Sequence, residues 1–176
     1  MSESARIHKE KAPKKLKFAV FTVSTSRYEH LREGEPVEDI SGDIIQSLLE
    51  SAGHEITFRK TISDDRKMIK ESMHDSLNSS EVDAIVFCGG TGITSSDVTI
   101  ETVSPFLEKT LPGFGEIFRR LSFDKIGSAA ILTRAIAGVA RTKVFFCIPG
   151  SPDAVRLCFE KLILTEVGHV VKHARE

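Results

Sequence analysis

Between Val82 and Asp97 an apolar run, Val82 to Phe87, breaks into Cys88-Gly89-Gly90-Thr91-Gly92-Ile93-Thr94-Ser95-Ser96-Asp97, and few folds accommodate both halves. The run reads as a strand covered on both faces. Three glycines in four residues let the chain turn sharply and bring bare N–H groups up to a ligand. A helix is expected from about Val98, and the partial positive charge at its start suits a phosphate. Asp97, at the far end of the loop, is placed to hold a metal ion that the phosphates share. Taken alone, Asp97 is equally a helix N-cap and the glycines equally a tight turn.

Strand and helix patterns alternate on either side of this loop. Phe18 to Val23 is a continuous β-prone run, and Ile44, Ile45, Leu48, Leu49 and Ala52 then share one helical face that Gly53 ends. Glu55 to Ile62 reads as a second strand, and Met68, Ile69, Met73 and Leu77 mark a helix ended near Asn78. Val82 to Cys88 is the third strand. Further on, Ser128 to Leu132 and Lys143 to Ile148 read as strands, and Pro152 to about His173 as mainly helical. Such alternation predicts a parallel sheet wrapped by helices, with ligands collected beyond the carboxyl ends of the strands.

Four loops are then candidates for that edge. The first runs from Ser24 through Gly42, with about sixteen residues lacking clear structure, a length that points to function or disorder. The second is Ser63-Asp64-Asp65, the third the glycine loop, and the fourth Ile148 to Asp153, where Ser151 suits an N-cap and Pro152 the first helical position.

Composition narrows the function classes. A chain of 176 residues fits one domain with a proper core, and a formal charge of −1 gives no electrostatic case for nucleic acid as partner. No apolar stretch has the length of a membrane span. Cys88, Cys147 and Cys158 are odd in number and lie in apolar surroundings, so free thiols in a reducing compartment, the cytoplasm, are expected. Residues 1–16 carry Arg6, Lys9, Lys11, Lys14 and Lys15 against Glu3 and Glu10, without the apolar centre of a secretory signal. They read as a flexible basic tail, with residues 17–176 as one α/β domain.

Several blocks occur in a telling order. Asp39-Ile40-Ser41-Gly42, then Gly89-Gly90-Thr91-Gly92 with Asp97-Val98-Thr99, Pro112-Gly113-Phe114-Gly115-Glu116, Thr133-Arg134-Ala135-Ile136-Ala137-Gly138 and Pro149-Gly150-Ser151-Pro152-Asp153-Ala154-Val155 together resemble the MoaB/MogA family of molybdenum cofactor biosynthesis. The match spans about residues 17 to 169 and is closer to MoaB. The resemblance implies a three-layer α/β/α sandwich with a mostly parallel central sheet. It implies adenylyl transfer from Mg²⁺-ATP to the terminal phosphate of molybdopterin with release of pyrophosphate, ahead of molybdenum or tungsten insertion. Asp64 and Asp97 match the family's important aspartates and are expected at the metal. Ser24, Ser41, Gly42, Gly89, Gly90, Thr91, Gly92, Arg134, Gly150 and Ser151 are expected around nucleotide and pterin. A homotrimer or homohexamer, and hand-over to a molybdate-inserting enzyme, are implied as well. A molybdopterin carrier without catalysis, or an oligomeric scaffold, is the alternative.

The chemistry suits these residue types. A phosphate monoester with a second pKa of about 6 is largely ionised near neutrality, so the nucleophile needs little help from a base. The obstacle is an anion approaching an anion, which a carboxylate-held Mg²⁺ and main-chain amides relieve. Asp64 and Asp97 are therefore assigned to positioning metal and phosphate and not to proton transfer.

Other residues keep two readings. On residues alone Asp64 is a first-turn carboxylate. Arg134 either meets substrate phosphate or bridges subunits, and Glu116 is an early-helix carboxylate. His169 and His173 have metal-like spacing but read as an exposed helical face. Leu107, Leu111, Phe114, Ile117, Phe118, Leu121 and Phe123 are either internal or self-association surface. Two departures from the family pattern stand out. Ser95-Ser96 precede Asp97 where many active relatives have a basic residue, shifting that work to Arg27 or Arg134, and Asp43 follows Ser41-Gly42 where a proline is expected.

Overall fold

The computed structural model describes residues 12–176. Its elements run β1 (Lys17–Val23), α1 (Thr25–Arg32), α2 (Ile40–Ser51), β2 (Glu55–Ile62), α3 (Arg66–Asn78), β3 (Ala84–Cys88), α4 (Thr99–Val103), β4 (Lys109–Thr110), α5 (Pro112–Ile126), β5 (Ile136–Ala140), β6 (Lys143–Ile148), α6 (Pro152–Cys158) and α7 (Leu164–Ala174). Residues 1–11 of the expected tail lie outside the described residues, and Leu16, also assigned to it, is a core residue.

The six strands lie in the order β2-β1-β3-β6-β5-β4. β2, β1, β3 and β6 are parallel, in register through Phe18↔Ala84 and Ala84↔Val144, while β5 and β4 add antiparallel at one edge. Side chains alternate across β1. Phe18 and Val20 join a core with Ile45, Leu49, Phe118, Val155, Phe159 and Val167, whereas Ala19, Phe21 and Val23 join one with Ile69, Met73 and Val103. Helices α2, α5, α6 and α7 thus cover one face and α3 and α4 the other. This is the three-layer, mostly parallel α/β/α sandwich expected. Near-continuous apolar runs in β1, β3 and β6 are what burial on both faces requires.

Two sequence readings are corrected. Ser128 to Leu132 is not a strand but part of a 3₁₀ turn, Gly127–Leu132, in which Ile131 and Leu132 are 84% and 56% exposed. The strand forms instead at Ile136–Ala140. Its Gly138 is needed because a Cβ there would stand 2.6 Å from the Lys109 carbonyl oxygen and 2.7 Å from Leu107 Cδ1. The Ser24–Gly42 stretch is also not a structureless loop. It holds α1, which buries no residue, and α2 already begins at Ile40.

The thiols of Cys88, Cys147 and Cys158 are free and buried, as expected. Among the described residues no helix is long and apolar enough to cross a membrane.

Candidate functional site

The connection out of β1 runs to β2 on one side and the connection out of β3 runs toward β4, β5 and β6 on the other, so the two diverge between β1 and β3. In parallel sheets this is where a crevice opens. Ser24 follows β1, Asp64 follows β2, Gly89 follows β3 and Pro149 follows β6, and all reach the same edge. Because β5 runs antiparallel to β6, its entering residues Thr133 and Arg134 come to that edge too. Together they line a cleft of about 450 Å³, with Val23, Arg27, Gly90, Thr91, Gly92, Asp97, Leu132 and Gly150.

The glycine loop is the floor of the cleft. Gly89 at φ +111 and Gly90 at φ +60 occupy left-handed conformations that disfavour side chains. A Cβ at Gly89 would lie 2.3 Å from the Val23 carbonyl oxygen, and one at Gly90 would lie 2.6 Å from Asp64 Oδ1. The loop is tied down at 2.9 Å by Gly89 N–H donating to Ile148 O and by Thr99 Oγ1 donating to Gly89 O. Thr99 N–H donates to Gly90 O at 3.0 Å. Gly90 and Thr91 N–H make no hydrogen bond among the described residues. Of the four amides expected to cradle a phosphate, these two are available, and Gly89's is spent inside the fold. The helix behind the loop, α4, is only five residues long and adds little dipole.

Both aspartates face this floor. Asp64 is not the cap of α3; its neighbour Asp65 is, accepting from Met68 N–H at 2.9 Å. Asp64 Oδ2 instead accepts from Thr25 N–H at 2.8 Å and Thr25 Oγ1–H at 3.0 Å. Asp97 is not a cap either, since Val98 holds the N-cap position of α4. Its Oδ2 accepts from Thr94 N–H at 2.9 Å and Thr94 Oγ1–H at 2.5 Å. Partial burial pushes the Asp97 carboxyl up, but hydrogen bonds from Thr94 and Gly92 and the charge of Arg134 prevail and hold it below its ordinary value. It is ionised at neutral pH.

Two guanidinium groups face the carboxylates across the cleft. Arg134 is held by an ion pair with Glu101, and Arg27 Nε donates to Glu38 O at 3.1 Å. Ser24, Gly89, Gly90, Thr91, Gly92, Arg134, Gly150, Asp64 and Asp97 are thus brought together.

Ser41, Gly42 and Ser151 do not line the cleft. Ser41 Oγ donates to Gly150 O at 2.7 Å, and Gly42 N–H donates to Asp39 Oδ1 at 3.0 Å at the start of α2. Ser151 caps α6 and faces a neighbouring pocket. Asp43, in the place of the expected proline, pairs with Arg59. Thr25 is a site residue that the sequence does not single out, its one signal being a hydroxyl two residues past the end of β1.

A divalent cation fits this donor set. Two hard carboxylates flank a loop whose glycines leave room for nothing larger than hydrogen, and Mg²⁺ is typically held by one or two carboxylates with substrate phosphates and water completing its shell.

Comparison with known proteins places this architecture. A family profile described as "Probable molybdopterin binding domain" matches residues 19–169. The chain belongs to that family. A molybdenum cofactor biosynthesis protein B of Bacillus cereus is 43% identical over 164 residues, 93% of each chain. A molybdopterin adenylyltransferase of Pyrococcus furiosus is 40% identical over 173 residues, covering 96% of this chain and 97% of its own. Among solved structures, the tungsten cofactor synthesizing protein MoaB from Pyrococcus furiosus superposes with a TM-score of 0.82 at 41% identity, covering 94% of this chain and all of that one (100%). The molybdopterin-binding family therefore spans the whole sandwich, cleft included.

Proposed function

We propose that this protein transfers the adenylyl group of ATP to the terminal phosphate of molybdopterin and releases pyrophosphate, as a step in molybdenum or tungsten cofactor biosynthesis. One observation carries the reading. Two carboxylates, two unbonded amides and two guanidinium groups converge on a single cleft, the set needed where two phosphate-bearing substrates must meet. Relatives named "Molybdopterin adenylyltransferase" and "Probable molybdopterin adenylyltransferase", at 40% and 41% identity, support it.

Each group has a task. The Gly90 and Thr91 amides donate to phosphate oxygens at the floor, and Arg27 and Arg134 neutralise phosphate charge at the walls. Arg134 also substitutes for the basic residue that Ser95-Ser96 lack. Asp64 and Asp97 would hold Mg²⁺, which when bound would supply screening of the repulsion between the substrates and stabilisation of the pyrophosphate leaving group. No side chain is required as a base, because the attacking phosphate is already ionised at neutral pH. Alignment accounts for the rest.

Self-association belongs to the same proposal. Phe123 and Ile126, three residues apart on α5, are 56% and 55% exposed, and with Ile131 and Leu132 of the turn that follows they offer an apolar surface whose Leu132 also lines the cleft. A homotrimer or homohexamer covers it, and the adenylated product passes from there to a molybdate-inserting enzyme. Sedimentation at micromolar concentration reads the oligomer, and a monomer refutes this part.

The deciding experiment incubates protein, ATP, Mg²⁺ and molybdopterin and follows pyrophosphate and adenylated pterin. Product formation requires both substrates and the metal and disappears in Asp64→Ala. Pterin binding with no ATP consumption overturns the enzyme reading in favour of a carrier.

A further inference from the structure

The exposed face of α7 carries a histidine pair remote from the chemistry of the cleft. His169 and His173 are one helical turn apart, so their rings fall on one side. The ring centroids are 4.8 Å apart and the two Nε2 atoms face each other at 3.0 Å. A carboxylate stands behind each ring: Glu166 Oε2 is 3.3 Å from His169 Nδ1, and Glu176 Oε2 is 3.0 Å from His173 Nδ1. A carboxylate at neutral pH only accepts, so the tautomer that satisfies both carboxylates puts a hydrogen on each Nδ1 and aims each Nε2 lone pair at the other. Two lone pairs this close repel unless positive charge lies between them. We infer that this pair is a binding site for an imidazole-seeking transition-metal dication of the zinc, nickel or copper type.

The spacing fits such an ion. Metal–nitrogen bonds of about 2.0–2.1 Å put two adjacent ligands roughly 2.9 Å apart at a right angle and roughly 3.4 Å apart at the tetrahedral angle. The observed 3.0 Å falls inside that interval, so a slight ring rotation reaches either geometry. Carboxylates on Nδ1 are the partners by which metal-binding histidines fix their tautomer and gain basicity. Side chains 27% and 48% exposed leave the pair open to an ion from solvent. Among the described residues no cluster of three or more His, Cys, Asp or Glu is disposed to hold a metal. The described residues thus offer two imidazoles, and an ion held by two protein ligands exchanges more readily than a four-coordinate structural zinc. Mg²⁺, which prefers oxygen, is not a competitor here.

The test is calorimetric titration of the full metal-free chain with ZnCl₂ near neutral pH, repeated on His169→Ala, His173→Ala, the double variant and Glu166→Gln. Wild type binds one equivalent that excess Mg²⁺ does not displace. That equivalent is absent from the histidine variants, and Glu166→Gln binds it about tenfold more weakly. An unchanged metal-free melting temperature shows that each variant is folded. Zinc bound with equal stoichiometry by the double variant overturns the site. So does a wild type that binds none, in which case the two rings hold only a shared proton.

Discussion

Thr25 clamps Asp64: its N–H and Oγ1–H both donate to Asp64 Oδ2, at 2.8 and 3.0 Å, while Asp64 N–H donates back to Thr25 Oγ1 at 3.1 Å. Ser63 Oγ completes the knot, 3.0 Å from Thr25 Oγ1. Because both donors fall on Oδ2, the clamp turns Oδ1 toward Gly90, into the floor of the cleft. Thr25→Val keeps the shape and removes the hydroxyl. Turnover is expected to fall roughly tenfold to a hundredfold, as when a partner that orients a metal ligand is lost. Stability should drop by only about 1 kcal/mol, the net worth of an ordinary hydrogen bond. Thr25→Ser should restore most of the activity. Pyrophosphate release across a Mg²⁺ titration, beside thermal unfolding, checks all three; a Thr25→Ser as slow as Thr25→Val defeats the clamp.

Gly92 separates shape from stability. Its backbone is not left-handed, but an added Cβ would stand 2.7 Å from Asp97 Oδ2 and 3.1 Å from Asp97 Cγ. Gly92→Ala must push that carboxylate aside, so turnover should fall more than about tenfold while unfolding free energy stays within about 1 kcal/mol of wild type. Gly89→Ala is the contrast. With φ +111 and a Cβ only 2.3 Å from the Val23 carbonyl oxygen, it should cost about 1–3 kcal/mol or more in the fold itself. Parallel denaturant melts and activity assays distinguish the two.

The layers of the fold were legible because β1, β3 and β6 are buried on both faces, which leaves an unbroken apolar signature. Helix α1 was not, since Thr25 to Arg32 bury nothing and leave no apolar stripe. Ile131 and Leu132 misled for the opposite reason: β-prone side chains sit there in solvent, while the true strand, Ile136–Ala140, is diluted by Ala137, Ala140 and a Gly138 pressed against Leu107. At the site, the glycines and both aspartates were legible, but not which carboxylate of the Asp64-Asp65 pair caps α3. That choice is made by Thr25, far away in sequence and adjacent only once β1 and β2 pair.

Acid should act on the loop through Asp97. Its folded-state value lies below its ordinary 3.8, chiefly through Thr94 and Gly92 hydrogen bonds that outweigh partial burial. A depressed carboxyl contributes stability that is fully present above the unfolded value and lost as pH falls through the folded one. The melting temperature of wild type should therefore exceed that of Asp97→Asn near pH 6, by an amount that shrinks below about pH 4. Thermal melts of both proteins from about pH 6 to about pH 2.5 measure the gap; one that is constant across the range contradicts the assignment.

Ser41 tests whether a residue expected at the substrate acts from behind it. Its hydroxyl is 2% exposed as a residue and donates to Gly150 O at 2.7 Å, bracing the loop after β6 from the start of α2. Gly150 in turn sits against the glycine loop, where a Cβ on it would lie 3.3 Å from Gly89 Cα. Ser41→Ala removes this donor from a part-buried contact whose acceptor residue, Gly150, is open to water, at a cost of about 1 kcal/mol. The loop can then slide against Gly89, so KM for the phosphate-bearing substrates should rise while kcat changes little, because neither carboxylate has moved. A direct contact with substrate predicts the reverse pattern of stability, an unchanged melting temperature with a raised KM. Unfolding and steady-state kinetics on the one variant decide between them.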